Sequence, residues 1–184
     1  MRIIAGEYRS RILKAPKGME TRPTLDKVRE AVFSSIGGRF EGGSFLDLYA
    51  GSGANGLEAL SRGMDFALLN DISHAACQTI RENVQALGCG ERCRITKMSD
   101  AKLVQTFAGE YAFDYVYMDP PYRKQRHYEM MSLMDRAGIL NDGAVLILES
   151  GAEDSFEEGP EHFTYMKSAV YGTVRITYYR YSRG

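Results

Sequence analysis

Two apolar periodicities alternate along this chain, and the switches between them mark its elements. Short continuous apolar runs bounded by turn residues occupy 44–50, 66–71, 94–98, 113–118 and 144–149. Runs of this kind are buried on both faces, as the strands of a parallel sheet are. Between them the spacing becomes helical. Val28, Val32 and Ile36 recur every fourth residue behind a Thr24 N-cap with Asp26 in the first turn, and Gly37-Gly38 ends that stretch. Ala76, Ile80 and Val84 share one face of a helix capped by Ser73 and running to Leu87. Tyr128 to Ala137 forms another, whose Met130, Met131 and Met134 are core filler. Asn83 is expected to make a helix-to-strand packing hydrogen bond, and His74 to lie on the surface. Near the end, 163–170 and 174–181 flank Tyr171-Gly-Thr-Val174, an antiparallel hairpin. At the start, Arg2 to Lys14 reads as two short strands around a Gly6 bend. The pattern predicts an α/β fold. Its sheet is mostly parallel, with helices on both faces, a C-terminal antiparallel hairpin and a small N-terminal β-hairpin.

The chain has 184 residues, long enough for one three-layer domain, read here as an arm over 1–20 and a body over 21–184. With 44% hydrophobic and 26% charged residues, its composition is that of a soluble globular protein. No apolar run approaches roughly 18 residues, so no membrane-spanning helix is predicted. Met1-Arg-Ile-Ile-Ala5 lacks the apolar stretch of a signal peptide. Cys77, Cys89 and Cys93 read as reduced thiols in a cytoplasm. No second ligand pair follows Cys89 and Cys93 at zinc spacing, so no metal is expected. Charge changes the picture more. Residues 1–39 hold nine Lys/Arg against four acids, leaving 14 of the 23 basic and 20 of the 24 acidic residues for the remainder. A basic arm on an acidic body is the footprint of a localised polyanion partner.

Two stretches carry candidate chemistry. Phe113 to Met118 runs as a strand into Asp119-Pro120-Pro121-Tyr122. Two consecutive prolines fix φ and lack an N–H, so the chain leaves the sheet as a stiff turn. That turn holds a carboxylate, the Pro120 carbonyl and an aromatic ring at the carboxyl end of a strand, where open α/β sheets bind ligands. The second stretch is Gly51-Ser-Gly53-Ala-Asn-Gly56, which follows a strand, opens a helix through Leu57 and Leu60, and precedes a second strand ending at Asp71. Glycine lets the backbone approach a ligand, and a carboxylate after the next strand can hold a ribose diol. This constellation by itself fits a dinucleotide or an S-adenosylmethionine site. Asp47, four residues before Gly51, favours the second, because an acid beside a pyrophosphate would repel it.

Asp119-Pro-Pro-Tyr122 resembles the (Asp/Asn)-Pro-Pro-(Tyr/Phe) signature of S-adenosylmethionine-dependent amino methyltransferases, and Asp47-x-x-x-Gly51-x-Gly53 resembles their cofactor motif. The N-terminal block narrows the likeness. Arg2-Ile-Ile-Ala-Gly-Glu-Tyr-Arg-Ser-Arg-Ile-Leu13, Thr21-Arg-Pro-Thr-Leu-Asp-Lys-Val-Arg-Glu-Ala-Val-Phe33 and Leu46 to Gly63 closely resemble the bacterial 16S rRNA guanine-N2 methyltransferases. The likeness covers nearly the whole chain, with the acidic 153–158 linker and the hairpin tail weakest. It implies a Rossmann-like class I methyltransferase fold and methylation of the exocyclic N2 of a guanine in small-subunit rRNA. The cofactor would be S-adenosylmethionine, leaving as S-adenosylhomocysteine, and the protein would act as a monomer on the small ribosomal subunit. It also implies roles: Asp47, Ala50, Gly51, Gly53, Asp71, Ile72, Asp100 and Ala101 toward the cofactor, with Asp100 receiving the adenine amine. Asp119, Pro120, Pro121 and Tyr122 would be catalytic. Asp119 and the Pro120 carbonyl would accept the two N–H bonds of the target amine and turn its nitrogen towards sp³, while Tyr122 stacks on a swung-out base. Two departures stand out: Asp71 where the family often has Glu, and Asn55 where an apolar residue is usual.

Arg9, Arg11, Lys14 and Arg22 of the arm, with Arg123, Lys124 and Arg126 in a basic loop ending at His127, are the candidate RNA contacts. Other classes explain less. A DNA or other RNA adenine-N6 methyltransferase shares the Asp119 turn but usually carries a target-recognition segment for which little chain is left. A glutamine methyltransferase more often has Asn at position 119. A nicotinamide-dependent oxidoreductase fits residues 44–71 but not the turn, and an RNA-binding module ignores both sites.

Overall fold

The computed structural model describes residues 1–18, 23–121 and 124–184, with the side chains of 23, 24, 124 and 125 outside the description. The described chain falls into two compact units, Met1–Met98 and Ser99–Gly184. The expected boundary between residues 20 and 21 lies outside the described residues.

In the first unit, helix α1 (Pro23–Ser35) precedes strand β1 (Ser44–Asp47), helix α2 (Ala54–Ser61), strand β2 (Phe66–Asn70), helix α3 (His74–Leu87) and strand β3 (Cys93–Thr96). β1, β2 and β3 are parallel, β2 in the middle, with Leu46 opposite Leu68 and Leu68 opposite Arg94. α3 matches its predicted caps: the Ser73 side chain accepts from the Ala76 amide, and Gly88 closes the helix in the left-handed region. α1 starts at Pro23, a residue ahead of the expected Thr24 cap. Proline suits the first helical position, where an N–H would have no partner.

The predicted N-terminal hairpin is reduced to a single antiparallel bridge, Arg2 to Ile12, in a loop closed by backbone bonds such as Ile3 N to Arg11 O at 3.0 Å. No ladder extends from it because the next donors turn toward α2. The amides of Ile4 and Ala5 go to the Glu58 carboxylate, and those of Glu7 and Tyr8 to the Ser61 carbonyl and hydroxyl. Gly6 makes this approach possible: a Cβ there would sit 1.9 Å from the Ser61 carbonyl oxygen. Glu58 is fully buried and also receives Arg29 at 3.3 Å and Arg62 at 2.8 Å. The arm is therefore seated on the body by a buried charge cluster that periodicity does not announce.

In the second unit, helix α4 (Asp100–Phe107) precedes strand β4 (Phe113–Met118), helix α5 (Lys124–Ala137) and strands β5 (Leu140–Gly151), β6 (Phe163–Tyr171) and β7 (Val174–Tyr181). β4 and β5 are parallel, β7 runs antiparallel to β5, and β6 antiparallel to β7. The terminal hairpin is where the sequence placed it. α5 starts four residues earlier than expected, so 124–127 form its first turn and not a loop. The cause is His127, buried with its Nε2–H on the Glu149 carbonyl at 3.0 Å and its ring edge-on to Phe156. Met130, Met131 and Met134 are fully buried, as read. Among the described residues, no helix is long and apolar enough to cross a membrane, and no cluster of three or more His, Cys, Asp or Glu could hold a metal.

Candidate active site

In the first unit the glycine-rich segment joins β1 to α2. Asp47 ends β1 as a buried acid. The Ala50 amide donates to the Asn70 carbonyl at 2.7 Å, and Gly53, at φ +83°, serves as the N-cap of α2 while its amide returns to the Ala50 carbonyl. Asp71 closes the loop from the other side. Its carboxylate accepts the Gly51 amide at 2.9 Å through one oxygen and the Ser73 amide at 2.9 Å through the other. A carboxylate offers about four acceptor positions, so lone pairs remain for two hydroxyls of a ribose. The shorter Asp in place of Glu keeps these oxygens within reach of the loop's own amide. The next residue, Ile72, is 69% exposed, an apolar side chain presented beside the acid.

Two asparagines that hold this segment were missed or misread from the sequence. Asn70 is buried and cross-links the ends of three strands: its amide donates to the carbonyls of Leu48 and Met98, and its oxygen accepts the Thr96 hydroxyl and the Met98 amide. The signal was available, as a polar residue at the end of an apolar strand. The hydrogen bonds of Asn83 go to two loops, not to a strand. It donates to the Ser52 carbonyl at 2.9 Å and brackets the Lys14 backbone, accepting its N–H at 2.8 Å and donating to its C=O at 3.0 Å. The arm and the glycine loop thus share one buried anchor.

The arm's candidate cations are partly committed. Arg11 donates to the Ala86 carbonyl, Lys14 pairs with Glu82 at 3.1 Å, and Arg9 is exposed. Arg22 lies outside the described residues.

In the second unit, β4 delivers Asp119, exposed, and Pro120, buried, at its carboxyl end, with Pro121 exposed beyond. Tyr122 and Arg123, and the side chain of Lys124, lie outside the described residues. The return from the turn is braced: Tyr117 donates to the Glu149 carboxylate at 2.6 Å, and His127 to the Glu149 carbonyl. Burial pushes the His127 imidazole below its ordinary pKa, outweighing its backbone hydrogen bonds, so the ring is neutral at pH 7. His127 is a brace and not a phosphate contact. Asp100 opens α4 behind a Ser99 N-cap, and its carboxylate accepts the Ala101 amide at 2.6 Å. Arg126 grips the same carboxylate with two donors, Nε at 2.8 Å and a terminal nitrogen. A cation assigned to RNA and an acid assigned to the cofactor are thereby brought together.

A family described as conserved hypothetical protein 95 matches residues 1–180. The ribosomal RNA small subunit methyltransferase D of Escherichia coli is 32% identical over 180 residues, covering 98% of this chain and 89% of that protein. YlbH of Bacillus subtilis, named provisionally as an rRNA methyltransferase, is 33% identical over 181 residues and 98% of both chains. The solved Escherichia coli structure named provisionally as the methyltransferase yhhF superimposes with a TM-score of 0.88 at 32% identity, covering 100% of this chain and 99% of that one. The chain belongs to this S-adenosylmethionine-dependent rRNA methyltransferase family. Its fold is the α/β methyltransferase fold, with β1, β2 and β3 parallel to one another in the first unit, and β4 and β5 parallel and the C-terminal hairpin antiparallel in the second. The glycine segment suits the family's cofactor: a half-buried acid with acceptor capacity left, an exposed apolar neighbour and a left-handed glycine at a helix start.

Proposed function

We propose that this protein methylates the exocyclic N2 amine of a guanine in small-subunit rRNA, acting as a monomer. The observation that carries the reading is the Asp119-Pro120-Pro121 turn, an exposed carboxylate followed by two residues without N–H at the carboxyl end of a parallel strand. Bound S-adenosylmethionine supplies an electrophilic methyl group. Asp71 would hold its ribose, Ile72 would lie against its adenine, Asp100 and Ala101 would meet the adenine edge, and Asp47, Ala50, Gly51 and Gly53 would frame its methionine end. An aromatic exocyclic amine is a weak nucleophile because its lone pair is delocalised into the ring. Asp119 and the Pro120 carbonyl accept its two N–H bonds, which localises the lone pair, and the Asp119 carboxylate holds the proton the nitrogen loses. Preorganised acceptors of this kind act on charge that develops only in the transition state. Tyr122 would stack on the extruded base.

The test is transfer of labelled methyl to small subunits from a strain lacking the endogenous enzyme, followed by nuclease digestion. N2-methylguanosine is the expected product. N6-methyladenosine would move the substrate to adenine, and absence of transfer would overturn the reading.

A further inference from the structure

Within the first unit a cavity of about 400 Å³ opens between the arm and α1. Arg2, Arg9 and Lys27 line it together with Asp26 and Glu30. Its volume is at the lower end of the roughly 300–1,000 Å³ of small-molecule sites. Of the cations that sequence alone nominates, Arg9 lines this space, while Arg11 donates to the Ala86 carbonyl and Lys14 pairs with Glu82; Arg2 and Lys27, which sequence did not nominate, also face it. The two acids are not equivalent. Asp26 is bound by the buried Arg29 at 2.8 Å and approached by Arg2 at 4.0 Å, while Glu30 is exposed on the next turn of α1. A site for phosphate alone gains nothing from a carboxylate on its wall, since like charges repel. A ligand joining a phosphate to N–H donors satisfies both sets of groups. Ile12 is not one of the residues lining the cavity but is the backbone partner of Arg2, which is. Residues opposed in an antiparallel bridge project from the same face, and Ile12 is 82% exposed. An exposed apolar side chain on the same face as a cation suits the face of a base.

We propose that this cavity is a subsite for one unpaired nucleotide of the substrate RNA. Arg2, Arg9 and Lys27 meet its phosphates, Glu30 accepts an exocyclic amine, and Ile12 lies against the ring. The proposal rests on the rRNA reading above and names where, apart from the methylated base, the RNA is held. A base with an exocyclic amine is favoured over uracil, which has none.

Two measurements test it on the full chain. The first is subunit methylation against salt for wild type and Arg2→Glu/Lys27→Glu. The double variant is expected to raise KM for subunits by roughly tenfold or more and to flatten the log–log salt slope by about two units, one per phosphate contact. Its cofactor binding and melting temperature should match wild type. The second is fluorescence anisotropy with labelled oligocytidine and oligouridine. Wild type is expected to bind oligocytidine several-fold more tightly, Glu30→Ala to level the two, and Ile12→Ser to weaken both alike. An unchanged KM and salt slope in the double variant would overturn the subsite, and equal wild-type affinity for both oligomers would overturn the role of Glu30. Failure of wild type to methylate subunits, with the oligomer preference intact, would instead remove the rRNA methylation reading and leave the subsite standing.

Discussion

Arg126 and Asp100 form a two-pronged ion pair that joins the first turn of α5 to the first residue of α4. Asp100 is almost wholly buried and Arg126 partly so, and removing one partner of such a pair strands the other. Arg126→Met is therefore expected to lower stability by ~1–3 kcal/mol and to weaken S-adenosylmethionine binding through Asp100. The salt dependence of subunit methylation should not change. Chemical denaturation, calorimetry and a salt titration separate these outcomes. A flattened salt slope with unaltered cofactor affinity would return Arg126 to the RNA contacts.

Asp119→Ala should leave cofactor affinity within a few-fold while lowering methyl transfer by ~10² or more, as for a contact made in the transition state. Single-turnover transfer with calorimetry on the same preparation checks it. Transfer at the wild-type rate would remove Asp119 from the chemistry.

Asp71 carries two tasks, orienting the Gly51 and Ser73 amides and holding the ribose. Asp71→Ala should cost roughly 1.5–3 kcal/mol of S-adenosylmethionine binding. Calorimetry with S-adenosylmethionine and NAD in parallel is the check. Binding of NAD in preference would contradict the cofactor assignment.

Glu58 pairs with both buried Arg29 and buried Arg62, and it also receives two arm amides. Glu58→Gln keeps the shape and removes the charge. It is expected to destabilise the fold by about 3–5 kcal/mol, chiefly by leaving buried Arg62 without the acid it pairs with, while Arg29 keeps Asp26. A urea midpoint close to wild type would mean that the cluster is solvated or redundant.

His162 and Asp135, 2.8 Å apart, set a pH dependence of stability. The hydrogen bond to Asp135 raises the His162 pKa above its ordinary 6.5. Burial pushes Asp135 up, but hydrogen bonds from Tyr181 and His162 outweigh it and leave its pKa lowered. A raised histidine contributes fully below the unfolded pKa and is lost as pH rises through the folded one. A lowered acid contributes above its unfolded value and is lost as pH falls through the folded one. The pair therefore contributes most between these limits, and its contribution should decline as pH rises above about 6.5. His162 has φ +75°, a conformation asparagine tolerates, so His162→Asn removes the titration with little added strain. Between about pH 6.5 and 9 the urea midpoint of wild type should fall relative to that of the variant, while below that range buried His127, whose pKa is lowered, makes both rise with pH. Identical curves would exclude the pair.

The sequence by itself was enough for the alternation of strands and helices, the C-terminal hairpin, and the places where the glycine-rich loop and the Pro-Pro turn interrupt that alternation. Each of these is written locally. Continuous apolar runs mark buried strands, Ser73 and Gly88 bracket α3, and Pro120-Pro121 must leave the sheet. Tertiary structure decided whatever depends on which charges find one another. Nine cations in the first 39 residues predict a polyanion footprint, yet Arg29 is buried on Glu58 and Lys14 is taken by Glu82, while Arg2 and Lys27 face a cavity. The arm's ladder shrank to one bridge because Glu58 and Ser61 outbid a neighbouring strand for its amides. Periodicity reports which face of an element is dry. It carries no record of the partner 54 residues away that accepts a given N–H, and that pairing follows only from the folded chain.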